Sequence, residues 1–220
     1  MARSIAIDGP AGAGKSTIAK RVAKELGFIY VDTGAMYRAL ALYMIREGIA
    51  SDDIDNVVSA CKRADVTIKH ENNEQVVYLN GDNVNGLIRT EEVGKMTSAI
   101  SVNAAVREKL VGLQQKLAEV TDVVMDGRDI GAVVLPNADL KIYLTASSRV
   151  RAERRYKELV AKNAECNLEE IEKDIIDRDY RDMHRELSPL KQADDAVFLD
   201  SSDMTIDEVK DKIIELYKGV

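Results

Sequence analysis

The run Gly9-Pro10-Ala11-Gly12-Ala13-Gly14-Lys15-Ser16-Thr17 holds the pattern G-x-x-x-x-G-K-[ST], with a short apolar run before it and a helical pattern opening at the lysine. At average composition the bare pattern arises by chance in about one chain in a hundred of this length, and the strand–loop–helix setting makes coincidence rarer still. Glycines there let backbone N–H groups turn inward around phosphate oxygens, and the helix N-terminus adds roughly half a positive charge. Lys15 would reach the β- and γ-phosphates of a triphosphate as a point charge, and the Ser16 hydroxyl would ligate Mg2+. The bland alternative is a glycine-rich turn with an exposed lysine. A dinucleotide-binding loop fits worse, because G-x-G-x-x-G counted from Gly12 meets Thr17 where its third glycine belongs.

Val123-Val124-Met125-Asp126 is an apolar strand ending in a carboxylate, the type of group that approaches a metal's waters at the carboxyl edge of a parallel sheet. Aspartates end many strands, so this reading leans on the glycine loop upstream. Arg149, Arg151, Arg154 and Arg155 fall close together, and Arg178, Arg181 and Arg185 follow at three- and four-residue spacing, on one helical face. Like charges at those spacings cost helix stability unless something anionic lies between them. Glu153, Asp174, Asp177 and Asp182 could compensate locally; otherwise the set suits a small, highly charged ligand such as a nucleoside triphosphate. His70 and His184 have no carboxylate or hydroxyl partner at a recognisable spacing, and His70 reads as a surface residue. No general base is therefore evident. A hydroxyl acceptor needs one, whereas a phosphate monoester is largely dianionic at neutral pH, so the composition of the site suits phosphoryl transfer onto a phosphate.

Strands and helices must alternate to position these groups. Ser4–Ile7 reads as a strand; Ile18, Val22 and Leu26 stripe a helix that stops at Gly27; Phe28–Val31 reads as a second strand. Strand, crossover helix and strand form a parallel βαβ unit. Val123–Asp126, Leu140–Leu144 and Ala196–Asp200 supply further core strands, the last followed by a helix capped around Ser202-Asp203. The fold class is thus α/β, with a central parallel sheet of about five strands. Ala64–Thr90 breaks the pattern: Val66–Ile68, Gln75–Leu79 and a piece near Asn83-Val84 are joined by Asn72-Asn73 and Asn80-Gly81-Asp82, turn formers that favour a small antiparallel insertion.

Composition narrows the class. The chain has 220 residues, 45% hydrophobic and 31% charged, with 31 Lys+Arg against 38 Asp+Glu for a net charge of −7. A nucleic-acid partner would need a net basic face. Two widely separated cysteines, Cys61 and Cys166, indicate neither a disulfide framework nor a zinc site and suit a reducing cytoplasm. The N-terminal run reaches charge and glycine too early for a signal h-region, and no apolar run is long enough to span a bilayer, so no membrane partner is expected.

Several segments together resemble the bacterial cytidylate kinases, within the nucleoside monophosphate kinases. They are Ile7–Thr17, Asp32-Thr-Gly-Ala-Met-Tyr-Arg38, Gly86-Leu-Ile-Arg-Thr90, Asp126-Gly-Arg-Asp-Ile-Gly131, Ala146-Ser-Ser148 with Arg151–Arg155, and Arg178–Arg185 leading to Ser188-Pro-Leu190. They run in order over nearly the whole chain, and the Asp32 and Asp126 segments are the specific ones. The resemblance implies a P-loop kinase of pyrimidine metabolism that moves the γ-phosphoryl of ATP, with Mg2+, onto CMP and dCMP in the cytoplasm, acting as a monomer.

It further implies a core of about 1–36, 108–146 and 186–220, an acceptor-binding region of about 37–107 containing the β insertion, and a helical lid with its following helix over about 147–185. Residues 9–17 would hold ATP, with Ser16 and Asp126 at the metal. Arg38, Arg128 and Arg185 would hold the acceptor phosphate, with Thr33 and Tyr37 lining the substrate site. Arg178 and Asp182 would meet the ribose; Ser98, Arg107 and Asp129 would read the base. Lys15, Arg128 and the lid residues Arg149 and Arg154 would neutralise the transferring group. Arg149 stands where an acidic residue often follows the serine pair, and Met183 where a small polar residue often follows the aspartate. Adenylate, guanylate and shikimate kinases, and a nucleotide-driven switch, are the competing expectations.

Overall fold

The computed structural model describes residues 2–71 and 74–220; the expected Asn72-Asn73 link lies outside the described residues. Five strands form a parallel sheet in the order β2-β6-β1-β7-β8: β1 Ser4–Asp8, β2 Ile29–Asp32, β6 Val123–Gly127, β7 Leu140–Thr145 and β8 Val197–Asp200. Side chains alternate across it. Ile5, Ile7, Val124 and Ile142 pack with Ile18 and Val22 of α1 (Lys15–Leu26) and Val209 and Ile213 of α8 (Ile206–Lys218). Ala6, Val31, Val123 and Met125 pack on the other face. The three inner strands, β6, β1 and β7, are largely buried on both sides, as parallel strands covered by crossover helices must be.

Two expectations shift at the last strand. β8 is an edge strand rather than a core one: Val197 is 37% and Phe198 55% exposed, and Phe198 stacks on Tyr143. The following helix is capped not at Ser202-Asp203 but at Thr205, whose hydroxyl and Glu208 close a reciprocal capping box. Ser202 is otherwise engaged, donating to Asp200 and accepting the Ser147 amide.

The antiparallel insertion is present as β3 Val66–Glu71, β4 Glu74–Leu79 and β5 Asp82–Asn83. Asn80 and Gly81 both have positive φ, 52° and 89°, which is the type I′ geometry that an Asn-Gly pair favours between two strands. The insertion shares a separate core with α2 (Thr33–Arg46), α3 (Ile54–Arg63), α4 (Glu91–Ile100) and α5 (Ala104–Val120), centred on Leu40, Met44, Leu79, Ile88 and Leu110. It also closes the open edge of β2. Gln75 accepts the Asp32 amide and donates to its carbonyl, at 2.7 and 3.2 Å. His70, read from sequence as a surface residue, is half-buried with Nε2 2.9 Å from the Tyr30 carbonyl. Only a protonated Nε2 can pair with that acceptor. Beyond the sheet, α6 (Ser148–Val160) and α7 (Leu168–His184) pack together.

Candidate functional site

The chemistry-bearing residues converge where β1, β2 and β6 end on the same side of the sheet, β1 lying between β6 and β7 in the strand order. After Asp8 the chain turns at Gly9, with φ 149°. A Cβ there would stand 1.9 Å from the Leu144 carbonyl oxygen on β7, so no other residue lets the loop leave the sheet this closely.

Lys15 is buried and folds back to donate to the Pro10 carbonyl at 2.7 Å. Burial and Arg128 push its ammonium well below the ordinary lysine range, opposed by Asp126 and Asp8. Ser16 donates to Asp126 Oδ2 at 2.9 Å, and Tyr30 donates to Oδ1 of the same carboxylate at 2.8 Å. Thr33 ties down the strand end by donating to the Asp126 carbonyl at 2.8 Å. Burial, and then Asp32, raise the Asp126 carboxyl above its usual range. Among the described residues no three His, Cys, Asp or Glu side chains cluster as a metal cage. A hydroxyl and one carboxylate side by side fit Mg2+ that takes its other ligands from phosphate and water.

One cavity of about 430 Å³ joins this loop to the rest of the expected site. From the loop it takes Ala11, Gly12 and Gly14 to Thr17, while Gly9, Pro10 and Ala13 do not line it. Asp126 and Thr33 line the floor, and Tyr37, Arg38, Ser98 and Arg107 the side of α2, α4 and α5. Arg128, Asp129, Arg178, Asp182 and Arg185 line it as well. Asp129 is buried, paired by Arg107, and lies 3.8 Å from Arg185 Nη2, which makes no hydrogen bond. Arg128 Nε donates to Asp182 at 2.8 Å. Burial pushes the Asp182 carboxyl up, but Arg128 and Arg178 more than offset it, and its pKa lies below the usual range. Burial raises the Tyr37 phenol to about 12.

Arg149 and Arg154 are not brought to this cavity. Arg149 is exposed and pairs with Glu153 on its own helix and Glu172 of α7; Arg154 donates to the Ser201 carbonyl at 2.7 Å. Arg155 and Glu158 face the cavity instead. Arg89 also lines it and donates to Asp32 Oδ2 at 3.1 Å. Arg155 belongs to the arginine cluster read from spacing, without a role of its own there, whereas Arg89 stands out only inside Gly86–Thr90, a segment that carries the family resemblance. Asp32, another wall residue, caps α2 by accepting the Ala35 amide.

The family profile described as cytidylate kinase matches residues 5–219. Cytidylate kinases of Streptococcus pneumoniae strains 70585 and JJA are each 49% identical over 210 residues, covering 95% of this chain and 94% of theirs. Among solved structures, an uncharacterized protein from Eubacterium ventriosum superposes with TM-score 0.57 at 12% identity, over 100% of both chains. A gluconokinase from Sinorhizobium meliloti 1021 gives 0.50 at 12% identity, over 99% of this chain and 94% of its own. Likeness at that identity speaks to fold alone.

Proposed function

Since the chain belongs to the cytidylate kinase family, we infer that it transfers the γ-phosphoryl group of Mg·ATP to CMP and dCMP, giving ADP and CDP or dCDP. The observation that carries this reading is the single cavity that runs from the phosphate loop to the buried Arg107–Asp129 pair. One end recognises a triphosphate and the other a flat, polar base edge. Asp129 can accept from the cytosine N4 amino group, while Arg107 donates to N3 and O2. Uracil turns that donor into an acceptor, leaving Asp129 against a lone pair, at a cost of about 1–3 kcal/mol.

Arg38, Arg128 and Arg185 take the acceptor phosphate in this reading, with Thr33 and Tyr37 beside them, and Arg178 and Asp182 take the ribose. Ser98 borders the base. Arg185 Nη2, buried without a hydrogen bond, is suited to a phosphate oxygen. No side chain has to remove a proton, because the attacking oxygen is already anionic. Mg2+, held by Ser16 and Asp126, would neutralise charge on the donor phosphates. Catalysis by the chain itself is positioning and charge neutralisation by Lys15, Arg128 and the lid arginines. Of these, Arg155 already faces the cavity, and Arg154 and Arg149 reach the transferring group only if α6 moves on closure. The moving parts are the acceptor-binding region, about 37–107, and the lid with its following helix, about 147–185. The rest, about 1–36, 108–146 and 186–220, is the core.

We take the enzyme as a cytoplasmic monomer with small nucleotides as partners, because one chain supplies the whole cavity. Among the described residues no helix is long and apolar enough to cross a membrane. Coupled ADP release with Mg·ATP across CMP, dCMP, UMP, AMP, GMP and shikimate tests the assignment. CMP and dCMP should lead and UMP trail; preference for a purine nucleotide or shikimate, or ATP binding without acceptor-stimulated ADP release, overturns it.

A further inference from the structure

Arg151 belongs to the arginine group on α6, yet it does not line the cavity and only 6% of it is exposed. Its Nε donates to the Ala146 carbonyl and its Nη1 to the Ala11 carbonyl, both at 2.8 Å. Nη1 also lies 2.6 Å from Oδ2 of Asp179 on α7. Asp179 Oδ1 in turn accepts the Ala11 amide at 3.3 Å. Both backbone polar groups of one phosphate-loop residue are therefore held by a buried ion pair whose members come from two different helices. The next residue rests on the same support: a Cβ on Gly12 would lie 3.4 Å from Cβ of Arg151 and 3.9 Å from Cδ1 of Ile175.

We propose that Arg151 and Asp179 are a positioning pair for the phosphoryl donor, fixing the phosphate loop from behind and tying its shape to the docking of α6 and α7. Those two helices carry Arg155, Arg178 and Asp182 into the cavity, so donor-site geometry and lid position are linked through Ala11. The pair supplies shape rather than potential. An arginine that neutralises phosphate faces the cavity, as Arg185 does; Arg151 does not line it, and its charge is matched at 2.6 Å by Asp179. A buried ion pair gains little stability over apolar packing, since both charges give up water, and its best-attested use is to specify one arrangement. The planar guanidinium is what the geometry requires, because a lysine ammonium cannot present the same fork to Ala146, Ala11 and Asp179 together.

This proposal rests on the loop being the ATP site, so wild-type CMP-stimulated ADP release is the control for that reading. Arg151→Lys and Asp179→Asn are then compared in the full-length chain by steady-state kinetics, with CMP binding measured calorimetrically without ATP. Each should raise KM for ATP roughly tenfold or more while CMP affinity stays within about twofold. An unchanged KM for ATP in Arg151→Lys would show that charge alone suffices, and a parallel loss of CMP affinity would show general loosening. Either result overturns the proposal. Amide hydrogen exchange on the unaltered, nucleotide-free protein needs no variant to fold and no assigned acceptor. The Ala11 amide should exchange about tenfold or more slowly than that of Gly12. Equal rates overturn the clasp whatever the enzyme phosphorylates.

Discussion

Asp129 stands between two cations, Arg107 and Arg185, which fix the orientation of its carboxylate in the proposed base site. Removing it outright would leave Arg107 buried and unpaired, a loss of about 3–5 kcal/mol that would blur any kinetic reading. Asp129→Asn keeps the shape and adds a donor that can face the uracil O4. It should narrow the CMP-to-UMP ratio of kcat/KM by roughly tenfold, the lower part of the 1–3 kcal/mol range for a mispaired polar edge, with KM for ATP within about twofold. Measuring kcat/KM for both acceptors checks it, and an unchanged ratio removes Asp129 from base reading. Residues of this kind were legible in uneven degree. Lys15 and Ser16 announce themselves because a phosphate cradle needs contiguous backbone. The lid arginines do not, because helical phase decides their fate: Arg151 turns into the core, Arg154 to Ser201, Arg155 to the cavity and Arg149 to α7. At 100° per residue, a cluster in sequence is dispersed around the helix.

Among the elements, strand–loop–helix units and the Asn80-Gly81 hairpin were readable because each is specified within a few residues. The short π-helical turn Ile130–Val134 was not, since its support comes from a residue 122 positions away: Asp8 accepts the Ile130 and Gly131 amides at 2.8 and 2.7 Å. Burial raises the Asp8 carboxyl to about 6, although these two bonds oppose the shift. The folded state then holds a proton that the unfolded chain releases, so this contribution to stability is full at low pH and is lost as pH rises through 6. The unfolding free energy of wild type minus that of Asp8→Asn should fall by about 1 kcal/mol between pH 5 and 7.5. Urea titrations at the two pH values measure it; a difference that is flat or rises with pH contradicts the reading. The loop that Asp8 precedes is more brittle. Gly9→Ala sets a methyl against the backbone of β7, where neither partner can rotate away. It should cost about 3 kcal/mol or more, roughly 10 °C in Tm, and raise KM for ATP. A thermal scan near the wild-type value would mean that the loop and β7 can separate.

At the scale of the whole molecule, charge is segregated. The chain carries −7 overall, yet the cavity gathers eight cationic side chains, Lys15 and seven arginines, against five carboxylates. Opposed fields of this kind keep the outer surface acidic while concentrating polyanionic nucleotides at the cleft, an effect that salt screens over about 10 Å at 0.1 M. Raising KCl from about 0.05 to about 0.5 M should therefore raise KM for both ATP and CMP severalfold, while kcat, which reflects contacts already shielded from solvent, changes by less than about twofold. Steady-state kinetics at fixed Mg2+ tests this, with potassium sulfate at matched ionic strength as the second arm. If Arg38, Arg128 and Arg185 form the proposed site for a tetrahedral dianion and not merely a positive surface, sulfate should inhibit beyond chloride and compete with CMP. If the two salts act alike, screening of the general field explains the whole effect. If kcat falls as steeply as KM rises, the arginines control closure over the nucleotides rather than their capture.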